Sequence, residues 1–150
     1  MGKPLRVLII EDSEDDTQLI LRELRRSGHE VEFERVETRE AMQVVLTEKP
    51  WDLILSDYTL PKFGALGALE VLKASDLHIP FIIISGSIGE ETAVAALKVG
   101  ANDFLSKGNL AKLGPVIEAA LREAKTRSER IIAEQALQTS EELFGKAFQN

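Results

Sequence analysis

Short apolar runs alternate with amphipathic segments along most of this chain. Continuous aliphatic stretches are typical of strands that are covered on both faces, and three occur, at residues 7–10, 53–55 and 81–84. A shorter and more exposed strand is predicted at Val31, Phe33 and Val36. Phe104 and Leu105 indicate another. The pattern therefore predicts several short strands spread along the chain.

Helical periodicity fills the intervals between these runs. Apolar residues recur every three or four positions in segments 17–26, 39–48, 65–74 and 91–99. The resulting order is βαβαβαβαβα, which favours a parallel sheet with right-handed crossovers and helices on both faces. We therefore predict a doubly wound α/β domain with a five-stranded parallel sheet rather than an α+β arrangement.

The last predicted helix is longer than a sheet requires. From Pro115 to about Leu143 it would extend roughly 43 Å at 1.5 Å per residue. Its apolar positions up to Ala124 suit packing on the sheet, but a polar segment follows, and then Ile131 and Ile132 would be exposed. We therefore divide the chain into a compact domain, residues 1–124, and a helical linker, residues 125–150. A dimer stalk is favoured for the linker, with a solvated tail as the alternative because the heptad is imperfect.

Composition narrows the class of protein. A chain of 150 residues suits one domain, and a net charge of -7 argues against a direct nucleic-acid partner. The absence of cysteine excludes disulfides, thiolate metal sites and a cysteine nucleophile. No apolar run approaches the ~20 residues that span a bilayer, and the amino terminus lacks a secretory cleavage pattern. We expect a cytoplasmic protein without a membrane partner.

Reactive side chains follow the predicted strands. These residues are Glu11, Asp12, Asp57, Ser85 and Lys107. In open parallel sheets the carboxyl ends of the strands meet at one edge, where ligands bind. Three carboxylates there would repel one another unless a cation bound, and all-oxygen ligands favour Mg²⁺. With a hydroxyl and an ammonium nearby, the predicted site suits a phosphoryl group.

In its order and spacing, this set of residues resembles the receiver domain of two-component response regulators. The resemblance covers residues 5–124. It rests on the combination of the acidic pair, the central Asp, the Ser and the Lys, since any one of them alone is weak evidence. It implies a flavodoxin-like fold with strand order 2-1-3-4-5, followed by the extended C-terminal helix. It also implies a partner histidine kinase or phosphotransfer protein that supplies a phosphohistidine, and no enzymatic turnover beyond the domain's own phosphorylation and dephosphorylation.

The resemblance implies a role for each reactive residue. Asp57 would accept the phosphoryl group, and Ser85 and Lys107 would bind the phosphoryl oxygens. The Mg²⁺ ligands would be three carboxylates and one backbone carbonyl: Glu11, Asp12, Asp57 and the carbonyl of Thr59.

Family analogy also implies a switch that reads the phosphoryl group, formed by Gly86, Ser87 and Phe104, with a core position as the alternative for Phe104. The chain departs from the family at three places. Ser85 replaces the commoner Thr, Gly86 replaces a small Ala, and Gly108 stands where many receivers have Pro. These changes keep the chemistry. The first two predict looser coupling of the loop after the fourth strand, and the third predicts a different geometry for the loop after the fifth strand. A homodimer would form through the C-terminal helix or through the face between helices four and five.

Residues 136–150, ALQTSEELFGKAFQN, resemble the opening helix of PAS sensor domains. This likeness predicts that the helical linker leads into a downstream module, or that the chain is a fragment of a longer protein. An ordinary amphipathic tail is the alternative.

Two other functions are alternatives to a phosphoacceptor. One is a pseudo-receiver that dimerises or docks whatever its phosphorylation state. Another is a Mg²⁺-dependent phosphohydrolase, but that class needs a second Asp two residues after the nucleophile, where this chain has Thr59.

Several polar residues are given structural roles. Asp15 and Asp16 are interpreted mainly as complements to a helix dipole. His29 and His78 are expected at the surface, and Trp51 at the edge of the sheet.

Overall fold

Five parallel strands form one sheet in the order β2-β1-β3-β4-β5. The computed structural model describes residues 2–58, 60, 63–86 and 90–147, with the side chains of 90, 92 and 142–147 left out. The strands are β1 (Lys3–Ile10), β2 (His29–Val36), β3 (Leu53–Ser56), β4 (Phe81–Ser85) and β5 (Asp103–Ser106). The predicted fold class and strand order are confirmed.

The helices follow the predicted alternation. They are α1 (Glu14–Arg26), α2 (Arg39–Glu48), α3 (Ala65–Ala74), α4 (Glu90–Val99) and α5 (Leu113–Ala147), with a 3₁₀ segment (Lys107–Lys112) before α5. Ser13 caps α1 by accepting a hydrogen bond from the Asp16 amide, so α1 begins three residues earlier than its apolar period indicated. Lys49, before Pro50, is extended and ends α2.

The alternating side chains of the strands feed two separate cores. Leu8 and Ile10 of β1 point to the face covered by α2 and α3, whereas Val7 and Ile9 point to the face covered by α1 and α5. Because both faces are covered, neither side of the strand can be polar, which explains the continuous apolar runs. The two layers of helices make the domain doubly wound.

His29 corrects one prediction. It was expected at the surface, but it begins β2 and is only 6% exposed. Its Nε2 lies 3.2 Å from Oε1 of Glu118 on α5, so the imidazole is covered by the last helix. Trp51 is buried as well, and its Nε1 donates to the Val45 carbonyl at 2.9 Å.

The described part of α5 projects beyond the domain. Leu113 and Ile117 are buried in the core, but every residue from 125 to 141 is exposed. The helix starts at Leu113 rather than at Pro115, because the 3₁₀ segment leads into it. Among the described residues, no helix has the length and apolarity needed to cross a membrane.

Two strands are positioned by a polar residue just before them. The Asn102 amide donates to the Phe81 carbonyl at 2.8 Å, and its side-chain Oδ1 accepts from the Phe81 amide at 2.8 Å. Asp52 makes the same pair of bonds with the backbone of Arg6, each at 2.9 Å. The Asn102 side chain thus fixes the start of β5 against β4, and the Asp52 side chain fixes the start of β3 against β1.

We expect Asn102→Ala to lower the free energy of unfolding by about 1–3 kcal/mol, because the Phe81 amide loses its acceptor beside a buried strand. Urea denaturation measures this change. Asn102→Asp keeps an acceptor oxygen and should retain most of the stability; an equal loss in both variants would contradict the role given to this bond.

Candidate functional site

The carboxyl ends of the strands bring the predicted reactive residues to one edge of the sheet. Glu11 follows β1, Asp57 follows β3, Ser85 ends β4 and Lys107 follows β5. The Glu11 amide donates to the Val36 carbonyl, and the Asp57 amide to the Ile10 carbonyl, so sheet hydrogen bonds hold the backbone there. Strand order reverses between β1 and β3, which is where ligands bind in this class of fold.

Three carboxylates converge at this reversal. Glu11, Asp12 and Asp57 each offer an oxygen, and these oxygens all lie within 4.8 Å of one another. Glu11 is buried, Asp57 is half-buried and Asp12 is exposed, so the cluster opens to solvent on one side. Hard oxygen donors at this spacing fit a small divalent cation such as Mg²⁺, with room for water or phosphate oxygens on the open side.

The Glu11 carboxylate lies in an environment that resists its charge. Burial raises its pKa, and the neighbouring Asp12 and Asp57 add to the rise. The Ser13 amide, which donates to Oε1 at 3.1 Å, and the Lys107 ammonium oppose it. The pKa of Glu11 is raised overall, and a bound cation would relieve the repulsion that contributes to this rise.

The Lys107 ammonium lies among carboxylates. Its Nζ is 2.6 Å from Oδ2 of Asp16, 3.1 Å from Oε2 of Glu11 and 3.2 Å from Oδ2 of Asp57. Burial alone would lower the pKa of Lys107, but these carboxylates outweigh it and the pKa is raised. Lys107 is therefore a permanent cation beside Asp57.

Asp16 contacts Lys107, which sequence reasoning missed. Asp16 was assigned to the helix dipole, yet it makes the shortest contact to the ammonium. The helical period contained the signal: Asp16 lies four residues before the buried Ile20, whereas Asp15 lies four residues before the exposed Leu19. The side of α1 that bears Asp16 therefore faces the domain.

The predicted switch residues are only partly described. Phe104 is half-buried and packs against the core on the α4 side of the sheet. A Cβ added at Gly86 would lie 3.9 Å from Cδ of Lys107, so the Ala that is common in the family would fit there. Ser85 is buried and in register with Ser106, next to Lys107. Thr59 and Ser87 lie outside the described residues.

Comparison with known proteins identifies the family. The sequence pattern of the response regulator receiver domain matches residues 7–117. The chain belongs to this receiver family. It is 34% identical over 144 residues to a putative NtrX-like response regulator of Rickettsia typhi, covering 94% of this chain and 30% of that protein.

Other relatives agree with this assignment. The receiver is 31% identical over 102 residues, 68% of its length, to the PhoP regulator of alkaline phosphatase synthesis in Bacillus subtilis, covering 42% of that protein. The receiver domain of a putative LuxO repressor from Vibrio parahaemolyticus superposes with a TM-score of 0.72 at 29% identity, over 83% of this chain and 95% of that one. The chain thus spans less than half of the two curated relatives named here.

We expect Asp12→Asn to raise the free energy of unfolding by about 0.5 kcal/mol in the presence of a chelator, because it removes one of three mutually repelling carboxylates. Asp15→Asn is the matched control. It removes the same charge from the exposed first turn of α1 and should slightly destabilise the helix. Loss of stability in Asp12→Asn, as in the control, would contradict repulsion as the dominant effect.

Proposed function

We propose that this receiver accepts a phosphoryl group on Asp57 from a histidine kinase or phosphotransfer protein, with Mg²⁺ as cofactor. The observation that carries the proposal is the position of Asp57, which lies beside the carboxylates of Glu11 and Asp12 and contacts the ammonium of Lys107. A nucleophilic carboxylate beside a cation site and a fixed ammonium suits the transfer of a charged phosphoryl group.

In the proposed reaction a carboxylate oxygen of Asp57 attacks phosphorus. A P–O bond to Asp57 forms as the P–N bond to the donor histidine breaks, and the released ring nitrogen keeps the electron pair. Glu11, Asp12, Asp57 and the Thr59 carbonyl would hold Mg²⁺, which supplies positive charge to the phosphoryl oxygens. Lys107 and Ser85 would donate to the same oxygens. We propose no turnover of other substrates.

Wild-type protein should become labelled by acetyl phosphate, with acetate as the leaving group, only when Mg²⁺ is present. Asp57→Asn should abolish the label, and Ser85→Ala should slow labelling by roughly tenfold, because one hydrogen bond to the phosphoryl group is lost. Intact-mass spectrometry measures the added group. Asp52→Asn is a control at the opposite edge of the sheet, and label that persists in Asp57→Asn would overturn the site assignment.

We further propose that α5 relays the signal as a helical linker and forms a homodimer. The exposed part of α5 carries Ile131, Ile132 and Leu137, which are 40%, 65% and 61% exposed. A lone projecting helix has little stability of its own, so pairing with a second copy would bury this apolar surface. Similarity to the NtrX-like protein extends over 144 residues, whereas the family pattern ends at residue 117.

The likeness of residues 136–150 to a PAS opening helix supports a connection from this linker to a further module. We also propose a cytoplasmic location, because cytoplasmic kinases and phosphotransfer proteins would supply the phosphohistidine. Phe104 and Gly86 are proposed to form the switch with Ser87. Phe104 packs against the core on the α4 side of the sheet, and Gly86 lies next to the Lys107 side chain.

Light scattering with Mg²⁺ and beryllofluoride, a phosphoryl mimic, should show a dimer. Ile132→Lys should weaken association about tenfold or more, because burial of one Ile side chain contributes roughly 1.5–3 kcal/mol. Gln135→Lys introduces the same charged side chain on the same helix. It should have a smaller effect, because it replaces a polar side chain rather than an apolar one.

Val94→Lys tests the rival face between helices four and five, because Val94 is exposed on α4. A dimer lost in this variant and kept in Ile132→Lys would place the interface there. If mimicry changes neither the oligomeric state nor partner affinity, the alternative, a phosphorylation-independent docking module, would be supported.

A further inference from the structure

The ammonium of Lys107 is engaged by three carboxylates: it donates hydrogen bonds to Asp16 and Asp57 and makes an ion pair with Glu11. An ammonium has three N–H donors, and three carboxylate oxygens lie within 3.2 Å of Nζ. A phosphoryl group on Asp57 needs at least one of these donors. An arriving phosphoryl group therefore competes with these carboxylates for the ammonium.

The three partners of Lys107 differ in their access to water. The side chains of Glu11 and Asp57 are 2% and 12% exposed, whereas that of Asp16 is 33% exposed. A more exposed carboxylate recovers hydration more easily when its ion pair opens. Asp16 is also anchored through its backbone, because its amide donates to the Ser13 side chain, so the carboxylate can move while α1 stays capped.

Asp16 is distinct from the metal cluster. The carboxylates that converge within 4.8 Å are those of Glu11, Asp12 and Asp57. Asp16 approaches the site from α1 and contacts the Lys107 ammonium at 2.6 Å, the shortest of the three contacts. Its negative charge therefore acts mainly on Lys107.

We propose that Asp16 is a positioning residue that holds Lys107 in the unphosphorylated state and competes with the incoming phosphoryl group for its N–H donors. This inference rests on the proposed phosphoacceptor role of Asp57. Phosphorylation would move Lys107 from Asp16 toward the phosphoryl oxygens. Asp16 would thereby set how readily the receiver is phosphorylated, without contacting the phosphoryl group itself.

Asp16→Asn should raise the rate of labelling by acetyl phosphate and the affinity for beryllofluoride, both in Mg²⁺, by about twofold to fivefold, the range for loss of a partly screened charge pair. Asp15→Asn is the matched control. It removes the same charge from the same turn of α1, so it should change both quantities less than twofold. It also reports any general effect of net charge.

A double-mutant cycle with Lys107→Ala tests whether Asp16 acts through the ammonium. Lys107→Ala should slow labelling, and adding Asp16→Asn to it should bring no further gain. Labelling is followed over hours so that the rates of the slow Lys107→Ala variants can be measured. Thermal melting should not separate Asp16→Asn from Asp15→Asn by more than a small shift, which distinguishes positioning from a structural role.

Each outcome decides between the proposals. A gain in Asp16→Asn that persists in the Lys107→Ala background would overturn competition for Lys107. Unchanged or slower labelling in Asp16→Asn, with normal labelling of the wild type, would overturn this inference and leave the proposed function intact. Wild-type protein that takes no label would overturn the proposed function and this inference with it.

Discussion

Coverage of the central strands on both faces determines where this protein can place charged groups. A carboxylate in the middle of β1, β3 or β4 would be desolvated between two layers of helices. The ionisable residues are therefore collected beyond the strand ends. Since the strands are parallel, these ends meet at one edge, and the reversal between β1 and β3 leaves a gap there. The same constraint that makes the core apolar makes that edge reactive.

Charge balance then organises the edge. Carboxylates outnumber cations around Lys107, and Glu11 is both buried and surrounded by other acids. A single ammonium cannot neutralise this set, which explains why burial and neighbouring acids raise the pKa of Glu11 while the pKa of Lys107 is also raised. A divalent cation would supply the missing charge, and Lys107 would then be less strongly held by its carboxylate partners.

Sequence patterns predicted the features that depend on local periodicity and chain order. The alternation of elements was enough to predict the parallel sheet. The predicted strand ends were enough to place Asp57 and Lys107 at one edge of it, because each follows directly after a parallel strand. The contact of Asp16 with Lys107 joins residues 91 positions apart, and the burial of His29 depends on how α5 packs beside the start of β2. The period of α1 indicates that Asp16 faces the domain, but the partners of Asp16 and His29 are set by docking between distant elements, which no short sequence pattern encodes.

The two halves of the proposed function meet in β4 and β5. Ile84 and Leu105 lie in one core with Leu113 and Ile117, the buried root of α5. Ser85 and Lys107 follow those two strand residues by one and two positions. A shift of Lys107 toward a phosphoryl group would therefore act on the strand and the 3₁₀ segment that lead directly into α5. Because packed cores switch between discrete arrangements rather than deform smoothly, a small displacement there can change the direction of the long exposed helix.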